Sequence, residues 1–163
     1  MDSKALADLI LADLESVVDR TRAAYLARIP RLAEVPPATL DAVLEATRRT
    51  MAAFCRYYLE GTLDSDAWRA VRNATVERAG ENFSHAEILE IVDIARATGA
   101  EAIDRLAERH PELTDEEREK VVTAMSQYVT ELAEQEDRLR RLASPHSLDA
   151  ILGDLEAEGA DLQ

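Results

Sequence analysis

Cysteine is nearly absent. The single Cys55 excludes an intrachain disulfide framework. Glycine and proline are scarce too, at five each, too few for a sheet protein with many tight turns. Aromatic residues make up only 4% of the chain, so aliphatic side chains must build the core. No run reaches the 18 or so apolar residues of a membrane-spanning helix. The start, MDSKALADLILADLES, carries Asp2, Asp8 and Asp13, which interrupt any signal-peptide core. Positive charge is outnumbered, 19 basic against 33 acidic residues, for a net charge of −14. Such a surface repels nucleic-acid phosphates and anionic membranes. The composition therefore leads us to expect a cytoplasmic protein that binds neither nucleic acid nor membrane.

Catalytic motifs are missing as well. There is no glycine-rich phosphate loop, no Cys-x-x-Cys and no G-x-S-x-G. No glutamate has a histidine three residues on, as a di-metal bundle needs. From this we expect no enzyme activity, no metal and no cofactor.

What is present is helix-forming sequence. Ala, Leu, Glu and Arg dominate, and all four are strong helix formers. The 163 residues suit one domain, which would bury roughly 70% of the surface its unfolded chain exposes. A first segment, residues 3 to 28, has Leu6, Leu9, Ile10, Val17, Val18, Ala24 and Tyr25 at helical spacing and stops before Pro30. A link, RLAEVPP, leads to a second segment that starts at Pro37 and ends at Gly61. Leu40, Val43, Leu44, Thr47, Met51, Phe54, Cys55 and Tyr58 share its face. A short third segment starts near Asp64 or Ser65, carries Trp68 and Val71, and closes at Gly80.

The fourth segment has the clearest entry. Ser84 and Glu87 form an S-x-x-E capping box, with Phe83 and Ile88 placed as a hydrophobic staple. Its stripe runs Ile88, Ile91, Val92, Ala95, Gly99, Ala102, Ile103 and Leu106. Gly99 and Ala102 are small enough to admit a neighbouring helix. The fifth segment repeats the start with Thr114 and Glu117. Its stripe of Val122, Met125, Val129, Leu132, Glu136, Leu139 and Ala143 approaches a coiled-coil seam, broken at Glu136. Ser144-Pro145 opens a weak stripe, and EAEGADLQ is acidic and featureless. We expect residues 1 to 143 to form a helical domain and 144 to 163 a short amphipathic helix with an acidic tail or linker.

Individual chemistry-bearing residues point to structure more than to reaction. His85 falls at the first position of a capped helix, with Ile88 and Leu89 where a second ligand would be needed. His110 and His146 flank prolines elsewhere, so the histidines form no cluster. DEERE (115–119) and EQED (134–137) suit solvated faces and favourable first-turn charge. Cys55 beside Phe54 suits a small buried hydrophobe. Phe54, Tyr58, Trp68 and Tyr128 are candidates to line a pocket, expected between segments two and four.

The run LARIPRLAEVPPATLDAVLEATRRTMAAF, then VERAGENFSHAEILEIVDIARATGAEAI, then a long final helix, resembles a particular module. It is similar to the N-terminal domain of PucR/CdaR-type bacterial transcription regulators and RsbR-type co-antagonists (the RsbRD N-terminal type). Ile29-Pro30 with Pro36 resembles the family's entry to its second helix. Arg78-Ala79 with residues 81 to 94 resembles its Arg-Ala-Glu-x-Gly segment and following helix. The likeness spans residues 5 to 143. It implies an all-α bundle of five to six helices, in a globin-like arrangement without haem in some related domains. It also implies a sensor role in signal transduction and transcription regulation. Family members usually carry a downstream output module, which is not seen before Gln163, so an excised domain or a stand-alone relative is expected. The expected partner is a second copy, forming a homodimer, or a regulator. The interface would involve Val129, Leu132, Leu139 and Leu142. The alternative expectation is a small-molecule-binding helical domain.

Overall fold

A computed structural model of the protein describes residues 1–63 and 83–143, except the side chains of His85, Glu136, Leu139, Arg140, Leu142 and Ala143. Trp68, the third segment and residues 144 to 163 lie outside the described residues. Among the described residues the fold is all-α, as expected, with six helices. These are α1 (Ser3–Ala12), α2 (Leu14–Arg28), α3 (Pro30–Glu34), α4 (Pro37–Glu60), α5 (His85–Arg109) and α6 (Asp115–Ala143). The chain divides into two compact units, Met1–Val129 and Thr130–Gln163.

Two expectations about the first unit need correction. Segment one is two helices, because the backbone turns at Asp13 and its N–H is shared between the carbonyls of Leu9 and Ile10. The link after Pro30 folds into the short α3, since proline at the first helical position forfeits no hydrogen bond. Its Leu32 is buried. Elsewhere the punctuation behaves as read. Pro37 starts α4, and Gly61 ends it with φ 70°, a left-handed conformation that glycine adopts without steric cost.

Helix α2 is the centre of the first unit, packed against α1, α3, α4 and α5. Its two deepest polar residues, Thr21 and Tyr25, are fully buried. Each finds a hydroxyl on a different neighbour. The Thr21 and Thr98 oxygens lie 2.7 Å apart, joining α2 to α5. Tyr25 Oη and Thr47 Oγ1 lie 2.8 Å apart, joining α2 to α4. Thr47 also donates to the Val43 carbonyl at 2.9 Å, which commits its only proton and makes Tyr25 the donor. Thr21 can donate to the Val17 carbonyl at 2.8 Å and Thr98 to the Ile94 and Ala95 carbonyls at 3.1 Å, so one hydroxyl donates across the pair and the other to its own helix. Burial pushes the Tyr25 phenol above its ordinary range, so it stays a neutral donor.

Aliphatic residues fill the space around these pairs, including Leu6, Val18, Val43, Ile94 and Ile103. Charged residues tie the rim. Arg48 makes a two-pronged pair with Glu15, at 2.7 and 3.0 Å, between α4 and α2. Arg109 reaches Asp13 at 3.4 Å, fixing the end of α5 to the α1–α2 corner.

The second unit is described only for residues 130–143, the far part of α6. Arg141 pairs with Asp137 at 2.8 Å there, one turn apart. Leu132 is 0% exposed.

Candidate functional site

Helix α6 starts as its sequence directs. Glu117 N–H donates to Thr114 Oγ1 at 3.2 Å, and Glu117 accepts in return from the Thr114 N–H at 2.8 Å. The Met1 ammonium donates to the same carboxylate at 2.8 Å. That contact first, and the Thr114 hydrogen bonds second, lower the Glu117 pKa to about 2.

The buried face of α6 differs from the stripe read in the sequence. Val121, Met125, Tyr128 and Leu132 are buried, while Val122 and Val129 are half-buried. The face is rotated by one residue, roughly 100°, at two of its four positions. Val121-Val122 and Tyr128-Val129 are adjacent apolar pairs, and the helices alongside decide which member turns inward.

Tyr128 organises the contact with α4. Its Oη donates to the Thr50 carbonyl at 2.9 Å. Its ring lies 5.6 Å from Phe54 and 5.1 Å from Tyr57, and Phe54 lies 6.1 Å from Tyr58. Four rings from two helices thus form one cluster, at separations where tilted or offset aromatic pairs are favourable. Phe54 and Tyr128 are buried inside it; Tyr57 and Tyr58 are half-exposed.

Beside the two outer tyrosines lies an open cleft of about 570 Å³. One wall is the end of α4, with Tyr57, Tyr58 and Gly61. The other is α6, with Glu116, Glu119 and Lys120 toward its start and Thr123 and Gln127 further on. This cleft lies between segments two and five. Of the four residues expected to line a pocket, Tyr58 does so. Phe54 and Tyr128 form the layer beneath, and Trp68 is outside the described residues. Tyr57 was missed because it falls one position off the apolar stripe of α4.

The expected interface divides similarly. Leu132 is buried within the single chain. Val129 is half-buried. The side chains of Leu139 and Leu142 lie outside the described residues.

Cys55 is buried, with Sγ 3.9 Å from the Ala7 carbonyl, and burial pushes its thiol up to about 11. A thiol held protonated is a poor nucleophile. His110 Nδ1 lies 3.1 Å from a Glu112 carboxylate oxygen at the turn before α6. Among the described residues no group of three or more His, Cys, Asp or Glu is placed to hold a metal ion, and no helix is long and apolar enough to cross a membrane. Compared with known proteins, the chain matches no family model, no curated protein and no solved structure.

Proposed function

We propose that this chain is a signal-input or protein-interaction module of a bacterial transcriptional or stress regulator, with no catalysis of its own. The resemblance in its sequence suggests this role. The structural observation that carries it is the continuity of α6. One helix bears the cleft wall before Val129 and runs on to Ala143 in the second compact unit. In this reading a change at the cleft wall is passed along α6. Self-association through the far part of α6, at Leu139 and Leu142, would deliver the output.

Light scattering across a concentration series tests this reading. The unsubstituted chain is expected to dimerise, and Leu139→Glu with Leu142→Glu to be monomeric. A chain that stays monomeric at high concentration overturns the self-association arm. Leu132→Glu is unsuitable as a probe, since it would bury a charge.

A second reading is favoured by the cleft. Its volume of about 570 Å³ falls in the range of small-molecule sites, roughly 300–1,000 Å³. In this reading the module senses a small molecule between α4 and α6. Saturable thermal stabilisation by a ligand, weakened in Tyr58→Leu, is the expected result.

A further inference from the structure

We propose that the cleft between α4 and α6 takes a small organic cation, an ammonium group on an apolar body. The ammonium would be held against the Tyr57 and Tyr58 rings and beside Glu116 and Glu119. This deepens the second reading above and rests on it.

Two independent features of the cleft select positive charge. The first is the aromatic wall. Tyr57 and Tyr58 sit half-exposed on the cleft, backed by Phe54 and Tyr128. Tyrosine ring faces carry a negative quadrupole that attracts ammonium groups within about 6 Å of the ring centre. The backing rings limit how far the outer pair can turn away.

The second feature is the charge on the opposite wall. Glu116 and Glu119 are exposed, line the cleft and make no ion pair among the described residues. Most carboxylates on α5 differ: Asp93, Glu101 and Asp104 pair with Arg96, Arg105 and Arg118. Among the described residues Lys120 is the one cation lining the cleft, and it is outnumbered two to one. The net charge of −14 adds a long-range field that draws cations and repels anions. An anionic ligand would meet one lysine against two glutamates and that field.

The apolar body follows from the remaining surface. The ring edges, Gly61 and Ala124 offer little hydrogen bonding, and Thr123 and Gln127 add two polar groups at one side of that surface. A bare metal ion would leave that surface wet, whereas an alkyl or aryl body would cover it.

Three probes with one body separate the contributions: phenethylammonium, 2-phenylethanol and phenylacetate, titrated calorimetrically into the full chain. Tyrosine ring signals in NMR locate the binding. The ammonium is expected to bind tightest and to weaken as salt is raised. Glu116→Gln with Glu119→Gln should weaken it roughly three- to tenfold and leave the alcohol unchanged. Both positions are exposed, so this double variant is expected to fold. Tyr58→Leu should weaken the ammonium roughly two- to fivefold. Phenylacetate binding as tightly as the ammonium, or ammonium binding indifferent to the glutamine variant, overturns the cation assignment and leaves a small-molecule cleft standing. No binding by any of the three overturns both.

Discussion

Helices α5 and α6 begin with the same device and put it to different surroundings. In α5, Ser84 Oγ accepts from Glu87 N–H at 3.1 Å, and Glu87 accepts from the Ser84 N–H at 2.9 Å. In α6, Thr114 and Glu117 repeat the pattern. Each glutamate then takes a third partner from a distant part of the chain: Arg31 at 2.9 Å for Glu87, the Met1 ammonium at 2.8 Å for Glu117. Arg31 also lies over the Phe83 ring, 4.8 Å from its centre, so the α5 start is held from two sides. Beyond the first turn the helices diverge. One side of α5 meets α2, where the polar atoms of Thr21 and Thr98 satisfy each other. The start of α6 meets the end of α4, where two tyrosines, two glutamates and a lysine face an open cleft. Polar groups closed on one another build a scaffold. Carboxylates facing a cleft beside aromatic rings can meet something else.

The largest test of this contrast removes a side chain from each region. Ile94 is 1% exposed and one turn from Thr98 on α5. Ile94→Ala is expected to cost about 2–5 kcal/mol in chemical denaturation, the range for deleting buried aliphatic groups. Gln127→Ala on the cleft wall should stay within about 0.5 kcal/mol. Equal losses would mean that the cleft wall is as much a part of the core as α5.

The next effect concerns the buried hydroxyls. Thr98→Val removes the hydroxyl partner of Thr21, while Thr21 keeps its bond to the Val17 carbonyl. The expected cost is about 1 kcal/mol. Thr21→Val with Thr98→Val should cost less than the sum of the single changes, because no half of the pair is left behind. Strict additivity in a double-mutant cycle would show that the 2.7 Å contact contributes nothing specific.

The same contrast explains what could be read from the sequence. The α5 stripe was legible because its entry is marked and one contiguous face is apolar. Even so, Ile94 and Thr98 were left off it, and both are buried. Thr98 was illegible because a threonine is welcome in a core only when a partner hydroxyl lies opposite, and Thr21 stands 77 positions away. In α6 the entry was equally clear, yet the register was ambiguous. Val121 and Val122, like Tyr128 and Val129, offer two faces of nearly equal apolarity. The break at Asp13 was hidden for a related reason: Leu6, Val17 and Val18 keep close to helical phase across it. The aromatic composition of the α4–α6 contact was half legible, because Phe54, Tyr58 and Tyr128 were singled out, but not the layer that each occupies.

Removing either cap tests whether the two helix starts are equivalent. Ser84→Ala and Thr114→Ala are each expected to cost about 1 kcal/mol. Both glutamates titrate below their ordinary value. For Glu87 the Ser84 backbone N–H is the leading cause, with the Ser84 hydroxyl and Arg31 adding to it. For Glu117 the pKa falls from 4.5 to about 2, led by the Met1 ammonium. A depressed carboxylate stabilises the fold above its unfolded pKa, and that contribution fades as pH falls. Stability should therefore drop between about pH 4.5 and 2. Carboxylate NMR titrations should place Glu117 at the lower end of that window. A Glu117 midpoint near 4.5 would mean that its cap and its third partner are not engaged.

The smallest effect is the most discriminating for the α5–α6 contact. A Cβ on Gly99 would lie 2.9 Å from Met125 Sδ and 3.2 Å from its Cε. Alanine in a helix interior is favoured over glycine by roughly 0.5–1 kcal/mol. Against that stands the need to move the end of one methionine, a flexible side chain that adapts readily. The two terms nearly cancel, so Gly99→Ala should change stability by no more than about 0.5 kcal/mol. Gly99→Ala in a Met125→Ala background, where nothing stands in the way, should recover the full helical gain. If Gly99→Ala costs the same in both backgrounds, the close approach of α6 to α5 at this point is not what glycine serves. If the gain appears only when Met125 is shortened, the small residue on the α5 stripe is there to admit α6, the helix that also forms the cleft wall.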